Sequence, residues 1–268
     1  MTSASARPVI ALLTDFGTRD HYVGTMKGVM LGICREATFV DITHDVPAQD
    51  VLAGTLELAA ACRYFPAGAI FLVVVDPGVG SARRAVAVEA GGWRFVAPDN
   101  GVLTAVLDEW DTTSAVELTA QRYALPTMSR TFEGRDRFAP AAAWLARGVE
   151  MASFGPPARE LQRIAIPTPR VTADAIAGEV LRVDRFGNLI TNVDRRTLDA
   201  AAGKGAVEIR IGSHAVSRLV ATYADVDAGD LCALVGSSEY LEVAVRGGSA
   251  ADRLRVGRGA PVHVARRA

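Results

Sequence analysis

The stretch Ala69-Ile70-Phe71-Leu72-Val73-Val74-Val75-Asp76-Pro77-Gly78-Val79-Gly80 decides the fold. An unbroken apolar run, rich in β-branched residues, stops at an acid and a proline-glycine turn. A run with no polar alternation fits a strand buried on both faces, as in a parallel sheet covered by helices. Upstream, Val9 to Leu13 is a second such run, and Thr14-Asp15-Phe16-Gly17-Thr18 follows it as a loop. A helix is predicted from Tyr22 to Cys34, a strand from Thr38 to Ile42, and an Ala- and Leu-rich helix from Val51 to Tyr64. Downstream, Arg84 to Glu89 and Trp93 to Val96 read as a hairpin turning at Gly91-Gly92. Leu103 to Trp110 and Arg137 to Arg147 read as further helices. Apolar strands alternating with helices define an α/β class, with a doubly wound, mainly parallel sheet.

The pattern changes near Ile164. Ile166-Pro167-Thr168-Pro169 is an extended linker, and beyond it helical periodicity nearly vanishes. Glu179 to Val183, Leu189 to Val193, Val207 to Ile211, Cys232 to Val235 and Tyr240 to Val245 are short strands separated by Gly, Asp and Ser. Gly247-Gly248-Ser249 reads as a turn only. The expected organisation is an α/β domain over residues 1–168 and an all-β barrel or sandwich over 169–268.

Composition excludes several functions. A formal net charge of −1 offers no basic stripe for phosphates, so a nucleic-acid partner is not expected. The apolar runs are strand-sized and fall well short of a membrane span. Met1 to Pro8 lacks a basic segment leading into a long apolar stretch, so no secretory leader is expected. The three cysteines, Cys34, Cys62 and Cys232, are widely spaced and suggest neither a disulfide framework nor a zinc site. A cytoplasmic location follows as the expectation. With four histidines in the chain, no metal site is expected.

Ligands of open α/β sheets bind outside the carboxyl ends of the strands. Asp15 and Asp76 both stand at such ends. Either acid could simply cap the next turn. The glycine-rich Asp76-Pro77-Gly78-Val79-Gly80 turn is followed by Arg83-Arg84, however, so cations can return to the same crevice. Ser129 to Asp136 precedes a helix and could be no more than its solvated N-terminus. Asp184-Arg185-Phe186-Gly187-Asn188 could be a plain hairpin turn, although Asn188 offers a donor and an acceptor suited to a purine edge. Gly236-Ser237-Ser238-Glu239-Tyr240-Leu241 is a polar turn between strands.

Taken together, these segments resemble one family. Thr14-Asp15-Phe16-Gly17, Tyr22 to Gly28, Ile42-Thr43-His44-Asp45-Val46-Pro47, Val75 to Gly80 with Arg83-Arg84, and Ala97-Pro98-Asp99-Asn100-Gly101 carry the likeness. So do Thr131 to Asp136, Phe186-Gly187-Asn188 with Thr191-Asn192, and Ser237 to Glu242. The chain resembles the S-adenosyl-L-methionine (SAM) hydrolases, or SAM hydroxide adenosyltransferases, relatives of the fluorinase and chlorinase.

The resemblance implies hydrolysis of SAM to adenosine and methionine, with SAM as substrate and no cofactor. It also implies a homotrimer whose sites lie between subunits. By resemblance, Asp15 binds the ribose hydroxyls, Asn188 reads the adenine edge and Phe186 stacks on the base. Asp184 and Ser237 lie near the methionine amino and carboxylate groups. The backbone at Gly247 contacts adenine, and Phe132 joins the substrate-binding set. The catalytic set implied is Asp76, Arg83 and residue 133. The family's Thr-Phe-His-Gly-Arg-Asp is here Thr131-Phe132-Glu133-Gly134-Arg135-Asp136, so Glu133 stands where a histidine is expected. Gly134 is expected to leave room beside the reacting carbon. The halogenases carry a longer loop after the strand at Arg84–Glu89 and a tyrosine at position 76, and this chain has neither. The alternatives carried forward are a non-catalytic SAM- or adenosine-binding protein and, further off, a halogenase.

Overall fold

The computed structural model describes residues 7–202 and 206–266. Most of the leader reading above, on Met1 to Ala6, therefore lies outside the described residues. The chain divides into two compact units, Met1–Ala165 and Ile166–Ala268.

In the first unit the elements run β1 (Val9–Thr14), α1 (Tyr22–Ile33), β2 (Thr38–Thr43), α2 (Val51–Cys62), β3 (Ile70–Val74), β4 (Ala85–Ala90), β5 (Trp93–Pro98), α3 (Thr104–Glu109), β6 (Thr112–Glu117) and α4 (Ala139–Ala146). The strands form one sheet in the order β2-β1-β3-β5-β4-β6. The β2-β1, β1-β3 and β3-β5 pairs are parallel, and β4 runs antiparallel to both of its neighbours. The mainly parallel α/β reading holds.

Alternation explains the unbroken apolar runs. Ile10, Leu12, Ile70, Leu72 and Val74 enter one core with Met26 and Met30 of α1 and Leu145 of α4. Ala11, Leu13, Phe71, Val73 and Val75 enter the opposite core with Leu58 of α2 and Val106 of α3. Both sheet faces are thus covered, and neither has a polar position to mark the period. The β4-β5 turn is the predicted two-residue hairpin. Gly91 and Gly92 take φ of 60° and 83°, a backbone that favours glycine, and Ala90 pairs with Trp93.

The first crossover, through α1, lies on one face of the sheet, and the second, through α2, lies on the other. β1 leads to β2 on one side, while β3 returns on the other side of β1. The strand order therefore reverses between β1 and β3, where the crevice of a doubly wound sheet opens. Thr14 and Val74 are register partners, so the residues after them emerge side by side. The helix predicted from Arg137 begins with a π-helical turn over Gly134–Phe138.

The second unit comprises β7 (Arg170–Val171), β8 (Ala175–Val183), β9 (Leu189–Asp194), α5 (Arg195–Ala202), β10 (Val207–Ile211), β11 (His214–Val216), β12 (Leu231–Val235), β13 (Tyr240–Val245), α6 (Ala250–Leu254) and β14 (Pro261–Arg266). The strands pair antiparallel in the order β11-β10-β14-β8-β9-β13-β12, with β7 on β8. Ile176, Val180, Leu189, Val193, Ile209, Ile211, Leu241, Val243, Val262 and Val264 converge as its interior. The two end strands approach each other. After β11, Val220 N–H donates to Ala233 O and Ala233 N–H donates to Arg218 O. The sheet is a nearly closed barrel. Ser249 does more than turn the chain, because its hydroxyl accepts from Asp252 N–H and caps α6.

Candidate active site

Asp15 and Asp76 stand where β1 and β3 end. The loop carrying Asp15 is pinned from below. Gly17 N–H donates to His44 O, and Thr14 Oγ1 lies 2.9 Å from Nδ1 of the buried His44 ring. The far ring nitrogen is 3.1 Å from Asp41 Oδ1. The Asp15 carboxylate accepts the Gln49 backbone N–H at 2.7 Å. Gln49 holds a φ of 67°, uncommon for a residue with a side chain, at this contact. Burial pushes the Asp15 carboxyl above its ordinary value, the Gln49 N–H opposes that, and the charge of Asp76 adds to the rise.

Arg83 returns to Asp76 as expected. Its Nε lies 2.9 and 3.0 Å from the two carboxylate oxygens, and Nη2 lies 2.5 Å from Oδ2. Both side chains are nearly closed to solvent, with 9% of Arg83 and 5% of Asp76 exposed. The same Nη2 reaches Glu133 Oε2 at 2.9 Å, as an ion pair not aligned as a hydrogen bond. Arg83 thus bridges two carboxylates. Burial works against its charge, but the Asp76 bond and the charges of Asp76 and Glu133 raise its pKa overall. Phe138 lies under the guanidinium at 5.2 Å.

Arg84 does not join this cluster. Its Nε donates to Asp99 at 2.8 Å, and its other nitrogens reach the carbonyls of Arg159 and Glu160. The sequence expectation that both cations share the crevice holds for Arg83 alone. Adjacent residues of an extended segment point to opposite sides, and Asp99 takes the second one.

Glu133 is carried by the segment leading into the π-turn. Asp136 is not a solvated cap. It is fully buried, binds Arg135 through both oxygens and accepts Ser129 N–H at 2.7 Å. Those bonds fold Ser129 to Glu133 back over the sheet. Gly80, at a φ of 78°, packs so closely that a Cβ would lie 2.6 Å from Arg130 O. Arg130 Nη2 donates to Gly80 O. The Asp76 loop and the Glu133 loop are thus locked together.

Phe132 is buried in an edge-to-face group with Phe16 and Tyr22, at centroid distances of 6.0 and 5.1 Å. Gly134 leaves no open room. A Cβ there would meet Met26 Sδ, the Phe132 ring and the Phe16 ring within 3.3–3.5 Å, so its smallness serves packing.

Two residues near the acids escaped the sequence reading. His44 sits in a quoted motif, but no spacing revealed that it props the Asp15 loop. Arg137 lies one helical turn beyond Glu133, with Nε 3.7 Å from Glu133 Oε2 and Nη1 donating to Leu118 O.

In the second unit, Asp184 organises the β8-β9 turn. One oxygen accepts the Phe186 and Asn188 backbone N–H groups, and the other accepts the Asn188 side-chain amide at 2.9 Å. Gly187, at a φ of 82°, lies against Ser249, and its carbonyl accepts Ala251 N–H. On this braced turn Phe186 is 76% exposed. Gly247 is exposed in the segment just after β13, and β13 runs antiparallel to β9, which brings it to the same barrel end. Ser237 is exposed in the β12-β13 turn, at the other end of β13.

These features define the class: a two-unit protein with an α/β unit bearing a carboxylate-lined crevice at its switch point and a small barrel unit presenting an exposed aromatic beside a buried amide. The comparisons narrow the class. Residues 10–155 match the SAM hydroxide adenosyltransferase N-terminal domain, and residues 178–263 match the C-terminal domain. The chain belongs to the SAM hydroxide adenosyltransferase family. It is 41% identical to a (R)-S-adenosyl-L-methionine hydrolase of Salinispora tropica over 252 residues, covering 93% of this chain and 94% of the relative. A fluorinase of Actinoplanes sp. is more distant, at 30% identity over 273 residues, covering 90% of this chain and 92% of the relative. A crystal structure of an uncharacterised conserved protein from Thermotoga maritima superposes with a TM-score of 0.91 at 35% identity, covering 96% of this chain and all of that one.

Proposed function

We propose that this protein hydrolyses S-adenosyl-L-methionine to adenosine and L-methionine. The observation that carries the reading is the Asp76–Arg83–Glu133 cluster at the sheet's switch point, in a chain that matches the hydrolases along nearly its whole length.

Water attacks C5′ of the substrate. The O–C5′ bond forms as the C5′–S bond breaks, and the sulfonium takes the electron pair and leaves as a neutral thioether. No acid is needed for that departure. One proton of the water must leave, and the carboxylate pair sharing Arg83 accepts it before solvent does. Arg83 fixes Asp76 through a bidentate contact, so the carboxylate presents one geometry to the water. The acids also attract the cationic substrate. That attraction fades as positive charge is lost, so it aids binding more than rate. The reaction requires no cofactor.

Asp15 accepts from the vicinal ribose hydroxyls. Phe186 stacks on adenine. The Asn188 amide gives one N–H to Asp184, which orients it, and its other N–H and its Oδ1 are the donor and acceptor for the adenine edge. The Gly247 backbone adds a further adenine contact, Phe132 lines the substrate side of the crevice, and Asp184 and Ser237 serve the methionine end. The working assembly is a homotrimer in which the crevice of one chain is completed by the barrel of another. Residence in the cytoplasm accords with three buried, unpaired cysteines. Among the described residues no helix is long and apolar enough to cross a membrane.

The test is incubation of purified protein with SAM, following both products by chromatography. Equimolar adenosine and methionine are expected. A bound ligand without turnover would instead support the non-catalytic alternative, which Glu133 in the histidine position motivates. Formation of a 5′-halogenated nucleoside with added halide would revive the halogenase, against which Asp76 and the short Gly91-Gly92 turn argue.

A further inference from the structure

No step of the mechanism uses the motif Ala97-Pro98-Asp99-Asn100-Gly101, which closes β5 and continues past it. The strand order β3-β5-β4 sets β5 between two neighbours that carry the catalytic pair. β3 is parallel to β5, so the chain leaving β3 toward Asp76 emerges beside the end of β5. β4 is antiparallel to β5, with Ala85 opposite Pro98, so the chain carrying Arg83 and Arg84 enters β4 at that same end. The strand ladders stop short of Asp76. The β3-β5 register ends at Leu72 and Val96, and the β1-β3 register ends at Thr14 and Val74. Two adjacent side chains take over from there. Asn100 Nδ2 donates to Val75 O at 2.9 Å, the carbonyl next to Asp76, while its Oδ1 accepts Val102 N–H. Asp99 holds the other end. Its backbone N–H donates to Arg84 O at 2.9 Å, its buried carboxylate accepts Arg84 Nε at 2.8 Å, and its Oδ1 accepts Gln162 N–H.

The Asp76–Arg83 contact needs both ends of the intervening loop in place. That loop is glycine-rich, and its own bonds, Val79 N–H to Asp76 O and Ser81 N–H to Gly78 O, are local. Such a turn brings the chain back without fixing where its two ends stop. Asp99 and Asn100 are consecutive, so their Cα atoms lie about 3.8 Å apart. They tie the residue before Asp76 and the residue after Arg83 to the span of one peptide. We infer that Asp99 and Asn100 are positioning residues, which set the bidentate contact of Arg83 with Asp76 by pinning both ends of the loop that carries them. With Arg84 turned to Asp99, Arg83 is left on the side of Asp76. Position 100 calls for an amide, because an aspartate there could accept from Val102 but could not donate to Val75.

The catalytic consequence rests on the SAM reading, and the test has one readout that needs no turnover. Asn100→Ala removes the donor to Val75 O. In wild-type protein the Arg83 Nε–H is bonded to both Asp76 oxygens on a side chain 9% exposed, so its nuclear magnetic resonance signal should exchange slowly with solvent. In the variant that exchange should quicken at least about tenfold. The Arg135 Nε–H, held by Asp136 elsewhere in the same unit, should keep its wild-type rate. With SAM, kcat should fall about ten- to a hundredfold through misplacement of the pair. Adenosine affinity by calorimetry should stay within about twofold, because Asp15 stands at the end of β1 and outside this loop. Unchanged exchange at Arg83, or equal quickening at Arg83 and Arg135, overturns the proposal. So does wild-type kcat in a variant whose Arg83 exchange is fast, or a loss of adenosine affinity as large as the loss of kcat. Wild-type protein that fails to hydrolyse SAM defeats the SAM reading instead, and the exchange rates still decide the positioning. Should Asn100→Ala fail to fold by thermal melting, Asp99→Asn keeps the acceptor for Gln162 N–H, releases Arg84, and is judged by the same readouts.

Discussion

At the scale of single residues, three acids and one arginine carry the account. Asp76→Ala should lower kcat by at least about a thousandfold while adenosine still binds, measured by turnover and by calorimetry. The variant loses a carboxylate and leaves Arg83 with Glu133 alone. Asp15 should behave differently. Its folded carboxyl sits above the ordinary value of 3.8, chiefly through burial, so it takes up a proton before a solvated carboxylate does. The ionised form accepts from the ribose, and adenosine affinity should therefore fall as pH drops through that raised value. Asp15→Asn should weaken adenosine at neutral pH and flatten this acid limb. The stability sign is opposite. Above both pKa values the folded state holds an ionised group that it disfavours, so at neutral pH Asp15→Asn should melt at a higher temperature than wild type. Glu133 stands out in the sequence because the resemblance leads one to expect a histidine there. Its environment does not, because ion pairs at 2.9 and 3.7 Å to two arginines have no signature beyond a spacing of four to Arg137. Glu133→His should lower turnover, since an imidazole cannot serve both guanidiniums as an anion does.

At the scale of elements, the two catalytic loops act as one part. Gly80→Ala would place a methyl 2.6 Å from Arg130 O on a backbone of positive φ. Urea denaturation should show a loss of about 1–3 kcal/mol, and turnover should fall further than folding alone explains, because the displaced segment carries Glu133. The elements themselves were largely legible from sequence. β1, β3 and the β4-β5 hairpin announce themselves through apolar runs and paired glycines. β6 does not, because Thr112-Thr113-Ser114 lies at the sheet edge and is exposed. α5 follows Asp194, whose side chain accepts Thr197 N–H; it is amphipathic, but its eight residues bury only Leu198 fully, too short an apolar face to stand out between strands. β14 lies between charged and glycine-rich residues, and its strand character comes from pairing with β8 and β10. The π-turn before α4 was hidden for another reason. Its buried Asp136 looks in sequence like an ordinary acidic first turn, and only the Arg135 and Ser129 partners reveal otherwise.

At the scale of the whole molecule, near-neutral charge conceals a local concentration. Asp76 and Glu133 meet Arg83 in the first unit, with Asp15 within reach of the Asp76 charge, and Glu242 meets Tyr223 in the second. Neither set is visible in the total. A trimer is the expected assembly, and light scattering should report about 85 kDa, three times the 28.3 kDa chain. The SAM hydrolase claim is tested most directly by running the reaction in water enriched in oxygen-18 and weighing the nucleoside by mass spectrometry. Attack of water at C5′ predicts adenosine carrying one heavy oxygen at the 5′ position, formed in step with methionine and with one proton released per turnover. Unlabelled adenosine, or none above a heat-inactivated control, would contradict it.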